Sequence, residues 1–157
     1  MSDTVQLDRI DRNILAALAG NGRQSIAELA AVVGLSKTPV QARVRRLEAE
    51  GIIRGYTALI DRERIGEGHV AFVQVTLADT RSAALDAFNK AVTSVREIEQ
   101  CHMIAGGFDY LLKTRGADMA DYRRFAGAVL WQLPGVRETR TYAVMEEVKS
   151  TNQLDLG

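Results

Sequence analysis

Lys37, Arg43, Arg45 and Arg46 crowd into one short run, "SKTPVQARVRRLEAEG", from Ser36 to Gly51. Cations at that density bind phosphate, and arginine can also grip the O6/N7 edge of guanine with two parallel hydrogen bonds. Yet the whole chain holds 20 basic and 20 acidic residues, a formal charge of zero. Residues 1–60 hold eight Lys/Arg against six Asp/Glu, net +2, and residues 61–157 hold twelve against fourteen, net −2. Between Ser36 and Tyr56 five basic residues face only Glu48 and Glu50. A local basic surface on a neutral protein is the footprint of nucleic-acid contact. It is also what a solvated helix face looks like, so the elements carrying it must decide.

Those elements read as three short helices. Leu7, Ile10, Ile14, Leu15 and Leu18 follow helical spacing behind Asp8 as N-cap, and Gly20-Asn21-Gly22 ends the run. Ser25-Ile26-Ala27-Glu28 is a capping box opening a second helix with an Ile26, Leu29, Ala30, Val33 face. Gly34 closes it, and Leu35 leads into Ser36, the cap of the third. So short a connection containing glycine is that of a helix-turn-helix. In the third helix Val40, Val44 and Leu47 form one buried stripe, with Thr38, Ala42 and Arg45 opposite and Gln41 and Arg46 flanking. Lys37 and Arg43 lie at the rim of the stripe. Lys37, Thr38, Gln41, Ala42 and Arg45 are expected to face the major groove, and Arg43, Arg46 and Arg54 to hold phosphates. Ser36 counts with them at the helix start. A dimer would read two half-sites about one helical turn apart, or a multiple of that. Residues 52–60 have β-type composition around Gly55, fitting a hairpin, the wing of a winged helix or a plain strand.

Residues 61–68 are charged, hold two glycines and show no period, so they read as a linker. The expected domains are 1–60 and 69–157. In the second, His69–Leu77 is a strand apolar on both faces. Leu85, Phe88, Val92 and Val95 mark a helix, Glu97–Ala105 a second strand, Gly106-Gly107-Phe108 a turn and Asp109–Thr114 a third strand. Met119, Tyr122, Phe125, Ala126, Val129, Leu130 and Leu133 mark another helix, stopped by Pro134-Gly135, and Val136–Val148 a fourth strand. The order β-α-β-β-α-β is the ferredoxin-like split βαβ. The fold class is therefore α+β: a winged helix-turn-helix followed by a ferredoxin-like domain. Helices cover one face of such a sheet, and a partner subunit is the simplest cover for the other.

Other chemistry is sparse. His69 and His102 are the only histidines, and neighbouring Cys101 and His102 point to opposite faces of a strand, so they cannot chelate one ion. Asp79, Asp86, Glu97 and Glu99 show no acid/base pairing, and no phosphate-binding glycine loop follows a strand. The expectation is no catalytic residue, no metal and no cofactor. A lone cysteine excludes an internal disulfide. No stretch approaches the roughly 18 apolar residues of a membrane span. A soluble cytoplasmic protein is the expectation.

Four segments then carry a resemblance in their order and spacing: "LDRIDRNILAALAGNGR" (7–23), "IAELAAVVGLSKTPVQARVRRLEAEGIIRGYTALID" (26–61), "IAGGFDYLLKT" (104–114) and "LPGVRETRTYAVMEEVK" (133–149). The chain resembles the Lrp/AsnC, or feast/famine, transcriptional regulators of bacteria and archaea over roughly residues 7–149. The resemblance implies sequence-specific binding to double-stranded DNA, homodimers that build octamers, and an amino-acid effector held near the Gly106–Tyr110 turn, between dimers. Carried over, Gly106, Asp109 and Tyr110 are the leading effector candidates, then Met103, Ala105, Gly107 and Phe108, then Thr139 and Thr141. The chemistry is reasonable: bare glycine backbone offers N–H and C=O groups to a zwitterion, and Asp109 can accept from its ammonium. Equally, the glycines can serve turn geometry alone and Asp109 can simply cap the turn. Two rival readings are an architectural DNA-binder with no ligand, and a metabolite-binding protein or enzyme built on the ferredoxin-like half.

Overall fold

The computed structural model describes residues 5–149. It divides into two compact units, the chain up to Leu59 and Ile60–Val148.

The first unit holds α1 (Arg9–Gly20), α2 (Ile26–Val33) and α3 (Lys37–Ala49). Asp8 caps α1 by a reciprocal box: its carboxylate accepts from the Asp11 N–H at 2.8 Å, and the Asp11 carboxylate accepts from the Asp8 N–H at 3.2 Å. Ser25 and Glu28 form the same box on α2. Gly34 ends α2 in the left-handed region at φ 70°, where a side chain would be strained. Ile14, Leu29, Val40 and Leu47 meet in a hydrophobic core. The β-type reading of residues 52–60 is corrected: they form no strand. Ile52 and Ile53 both donate to the Leu47 carbonyl, at 2.9 and 3.0 Å, and pack half-buried on the helical core. The exposed residues that follow have no strand beside them within this unit, so no ladder forms. The wing position is thus an arm without regular structure, tied back where the Tyr56 hydroxyl donates to Glu48 at 2.9 Å.

The second unit runs β1 (His69–Leu77), α4 (Ser82–Val92), β2 (Ile98–Met103), β3 (Tyr110–Gly116), α5 (Met119–Ala128), a 3₁₀ turn (Leu130–Gln132) and β4 (Val136–Ala143). The sheet order is β2-β3-β1-β4, antiparallel throughout, as the split βαβ requires. Ala71, Val73, Val75 and Leu77 of β1 pack under Phe88, Val92, Tyr122, Phe125 and Leu130. β4 is shorter than the expected strand 136–148. Its last pair is Ala143 with Ala71, and the Val144 N–H still reaches the Val70 carbonyl at 2.9 Å. Beyond that β1 supplies no partner. Residues 61–68, read as a linker, form turns held onto this unit, with Arg115 donating to the Glu67 carbonyl at 3.3 Å. The expected second domain extends to 157; residues 150–157 lie outside the described residues.

The sheet face away from the helices is mixed rather than apolar. Phe72 pairs across with Tyr142 and Lys113, and Gln74 with Leu111 and Arg140. Phe72 and Tyr142 are 36% and 46% exposed. No helix among the described residues is long and apolar enough to cross a membrane.

Candidate DNA interface and candidate effector site

The buried stripe of α3 is Val40, Val44 and Leu47, which turns Thr38, Gln41, Ala42 and Arg45 outward. Lys37 and Arg54 are exposed as well. Ser36 sits at the N-cap in extended conformation, but its hydroxyl makes no capping bond, and no acidic side chain occupies the first turn. The start of α3 therefore keeps unengaged N–H groups and the positive end of the helix dipole facing outward, which favours an anion.

Arg43 and Arg46 are held differently from the other cations. Arg43 Nη1 lies 2.6 Å from Asp8 Oδ2 and 2.8 Å from Asp11 Oδ1, and Arg46 Nη2 lies 2.6 Å from Asp11 Oδ2. Asp11 is 1% exposed. The pair of carboxylates raises the Arg43 pKa, Asp11 foremost and then Asp8. The Asp8 carboxyl is held below its ordinary value, first by the Asp11 N–H and then by Arg43. Among the described residues Lys37, Arg45 and Arg54 make no ion pair. Sequence reading placed all these cations on one surface and missed the clamp. Its signal was present: acids at i and i+3, the α1 cap Asp8 and Asp11 in its first turn, match bases at i and i+3 on α3.

The β2–β3 connection is closed by the Ile104 N–H donating to the Asp109 carbonyl at 2.8 Å. Asp109 does more than cap. Its Oδ2 accepts from the Leu77 N–H at 2.7 Å, and its own N–H donates to the Val75 carbonyl at 3.0 Å. It stitches the turn to the end of β1. Neither Gly106 nor Gly107 has a positive φ. A Cβ on Gly107 would meet nothing within 4 Å, and one on Gly106 only the Ile104 side chain at 3.5 Å. Turn geometry alone does not demand glycine here. Met103 and Ala105 are exposed and Phe108 is half-buried. Tyr110 is 1% exposed, with its ring 4.4 Å from that of Phe88, so its side chain belongs to the core.

Thr139 and Thr141 do not join this cluster within one chain. The register aligns Met103, Tyr110, Val75 and Thr139 in one row across the sheet. Three strand spacings of about 4.8 Å put Met103 and Thr139 on the order of 14 Å apart, at opposite edges. Both hydroxyls are engaged: Thr139 accepts from Trp131 Nε1 at 3.3 Å, and Thr141 shares a short hydrogen bond with the Tyr122 hydroxyl. Trp131 itself is 60% exposed.

A cavity of about 560 Å³ opens at the other end of the sheet, by Arg62, Glu67, Arg96, Arg115 and Asp121. Its charges largely satisfy one another, as in Arg115–Glu99 at 2.6 Å and Arg62–Glu67 at 2.7 Å, and no effector candidate lines it. Burial pushes the Cys101 thiol above its ordinary value, away from thiolate chemistry. Among the described residues no group of three His, Cys, Asp or Glu converges to hold a metal.

The helical unit and the sheet unit each match a known family. Residues 7–54 match the family described as winged helix-turn-helix DNA-binding, and residues 70–154 the Lrp/AsnC ligand binding domain. The leucine-responsive regulatory protein of Escherichia coli is 52% identical over 148 residues, covering 94% of this chain and 90% of its own length. The proline dehydrogenase transcriptional activator of Rhizobium radiobacter is 49% identical, covering 94% and 95%. A transcriptional regulator of Neisseria meningitidis, solved in complex with L-Met, superposes with a TM-score of 0.90 at 34% identity, covering 96% of this chain and 97% of that one. With a helix-turn-helix that exposes a basic face and, later in the chain, a βαββαβ unit that matches a ligand-binding domain, the chain belongs to the Lrp/AsnC family of DNA-binding transcriptional regulators.

Proposed function

We propose that this regulator reads duplex DNA with the outer face of α3 and responds to an amino acid bound beside the β2–β3 turn, as a cytoplasmic homodimer that builds octamers. One observation carries the DNA reading: Lys37, Thr38, Gln41, Ala42 and Arg45 stand exposed on a helix whose opposite stripe is buried. The open start of α3 at Ser36 lies beside them, and Arg54 follows on the arm. Arg43 and Arg46, expected to hold phosphates, have guanidiniums already engaged by carboxylates.

The effector reading is supported by two glycines that their own conformation does not require, next to the exposed Met103 and Ala105. Within one chain Thr139 and Thr141 lie at the far edge, so they belong to a site only if a second copy brings its β4 edge to this turn. A relative named leucine-responsive, another named as an activator of proline dehydrogenase, and a neighbour solved with L-Met support an apolar amino acid as effector. The internal bonds of Asp109, Thr139 and Thr141 favour a second reading, a DNA-binder without a ligand.

Fluorescence anisotropy of the full chain tests both. DNA from upstream of its own gene and a random duplex are titrated over a salt series, with and without leucine, methionine and proline. Selective binding that shifts with one amino acid is the expected result. Selective binding indifferent to these three and to a pool of the remaining amino acids would favour the ligand-free reading. Arg45→Ala is expected to cost on the order of 1–3 kcal/mol on the preferred site and little on random DNA. Equal losses on both would place Arg45 on phosphate.

A further inference from the structure

Asp11 is an acidic residue buried beneath a helix proposed to bind a polyanion. An ionised carboxylate out of water is costly unless paired and hydrogen-bonded. Asp11 has three partners: Arg43 Nη1 at 2.8 Å, Arg46 Nη2 at 2.6 Å and the Asp8 N–H at 3.2 Å. Asp8 adds a second carboxylate oxygen to Arg43 at 2.6 Å. The same two aspartates form the capping box of α1. The cap, and hence the start of α1, is therefore joined to two guanidiniums one turn apart on α3.

Two consequences follow. A carboxylate that grips residues 43 and 46 together fixes the rotation of α3 about its axis, and with it the direction of Thr38, Gln41 and Arg45. The clamp is also electrically neutral: two carboxylates against two guanidiniums. Of the four cations on α3, only Lys37 and Arg45 then act as uncompensated charge. Sequence-independent DNA affinity grows with the number of phosphates a protein neutralises. A base-reading helix gains selectivity when that contribution is kept small.

We infer that Asp11, with Asp8, is a positioning residue that sets the DNA specificity of this regulator, by holding the recognition helix in register while withholding Arg43 and Arg46 from phosphate. This rests on the proposed α3 interface, and the test separates the two.

Asp11→Asn keeps the shape and can still accept from the Asp8 N–H and one arginine, but removes the charge. Anisotropy on a random duplex between 50 and 200 mM salt measures the slope of log affinity against log salt. Each phosphate contact contributes about 0.9 to that slope. With Asp8 still on Arg43, Asp11→Asn uncovers one charge and is expected to steepen it by up to about 0.9 per bound helix, an extra loss of roughly threefold across that range. At 50 mM salt it should bind random DNA more tightly and the preferred site by a smaller factor, so the specificity ratio falls. Adding Arg43→Gln and Arg46→Gln to Asp11→Asn should return the slope to that of the parent. A purely structural role would weaken binding to both duplexes with the slope unchanged, and that result in a folded variant overturns the inference. Far-UV circular dichroism and thermal melting check folding. Should Asp11→Asn not fold, Asp8→Asn, at the exposed end of the clamp, is expected to steepen the slope by up to about 0.9, and a flat response overturns the inference equally. A parent protein that binds no duplex overturns the α3 interface and the clamp's role with it. A parent that binds well beside a variant with an unchanged slope overturns the clamp alone.

Discussion

At Asp109 one hydrogen bond changes how the effector question has to be asked. Its Oδ2 satisfies the Leu77 N–H, so truncation removes a structural acceptor as well as a charge. Asp109→Ala is expected to destabilise by about 1–3 kcal/mol, the range for leaving a donor without its partner. Asp109→Asn retains an acceptor and loses the charge. It should melt near the parent and, if the carboxylate holds an ammonium, lose its amino-acid response. A parent-like response in Asp109→Asn, read by anisotropy, would remove the charge from the site. Gly107 is the complementary case. With no positive φ and no atom within 4 Å of a built Cβ, Gly107→Ala should stay within about 0.5 kcal/mol of parent stability by urea denaturation. A weakened response in that stable variant would mark close approach of a ligand to the backbone. Neither distinction is visible in "GGFDY". The turn is legible as a turn, but whether its glycines are needed for their torsions depends on angles that two adjacent letters do not specify.

The helical caps were legible element by element, because a cap is a local hydrogen bond between residues three apart. Asp8, Ser25 and Gly34 stand where the spacing put them. Ser36 stands at its cap position without making the bond. The Ser25–Glu28 box carries a pH dependence. The Glu28 carboxyl is held below its ordinary value, first by the Ser25 N–H and then by its hydroxyl. A lowered folded pKa stabilises above the ordinary glutamate value of about 4.3, and the benefit disappears as pH falls through the folded value. Glu28→Gln keeps the box but not the charge. Parent and variant should therefore differ in urea midpoint at pH 6 and converge by pH 3; a gap that persists at pH 3 would contradict the assignment. Strand ends were less legible. The expected fourth strand runs on past Ala143 to Val148, but a strand stops where its partner stops, and β1 begins at His69.

For the whole molecule the open sheet face is the surface that the proposed dimer would cover. Phe72 and Tyr142 sit side by side across β1 and β4, substantially exposed, among Gln74, Leu111 and Arg140. Face-to-face packing of two such sheets would bury them. Phe72→Asp is expected to shift the assembly toward monomer in sedimentation velocity while leaving the far-UV spectrum unchanged. An unaltered sedimentation profile would remove this face from the proposed dimer contact.

Sequence by itself determined the order of elements, the split βαβ topology, the caps and the outward face of α3. Each of these follows from periodicity or from bonds between near neighbours in the chain. Only the tertiary structure decided which cations are uncommitted and which effector candidates share a neighbourhood. Asp11 meets Arg43 and Arg46 across more than thirty residues, and Thr139 is separated from Met103 by the full width of a sheet whose strand order is not its chain order. Charge compensation and proximity are properties of packed space, and a linear pattern records neither.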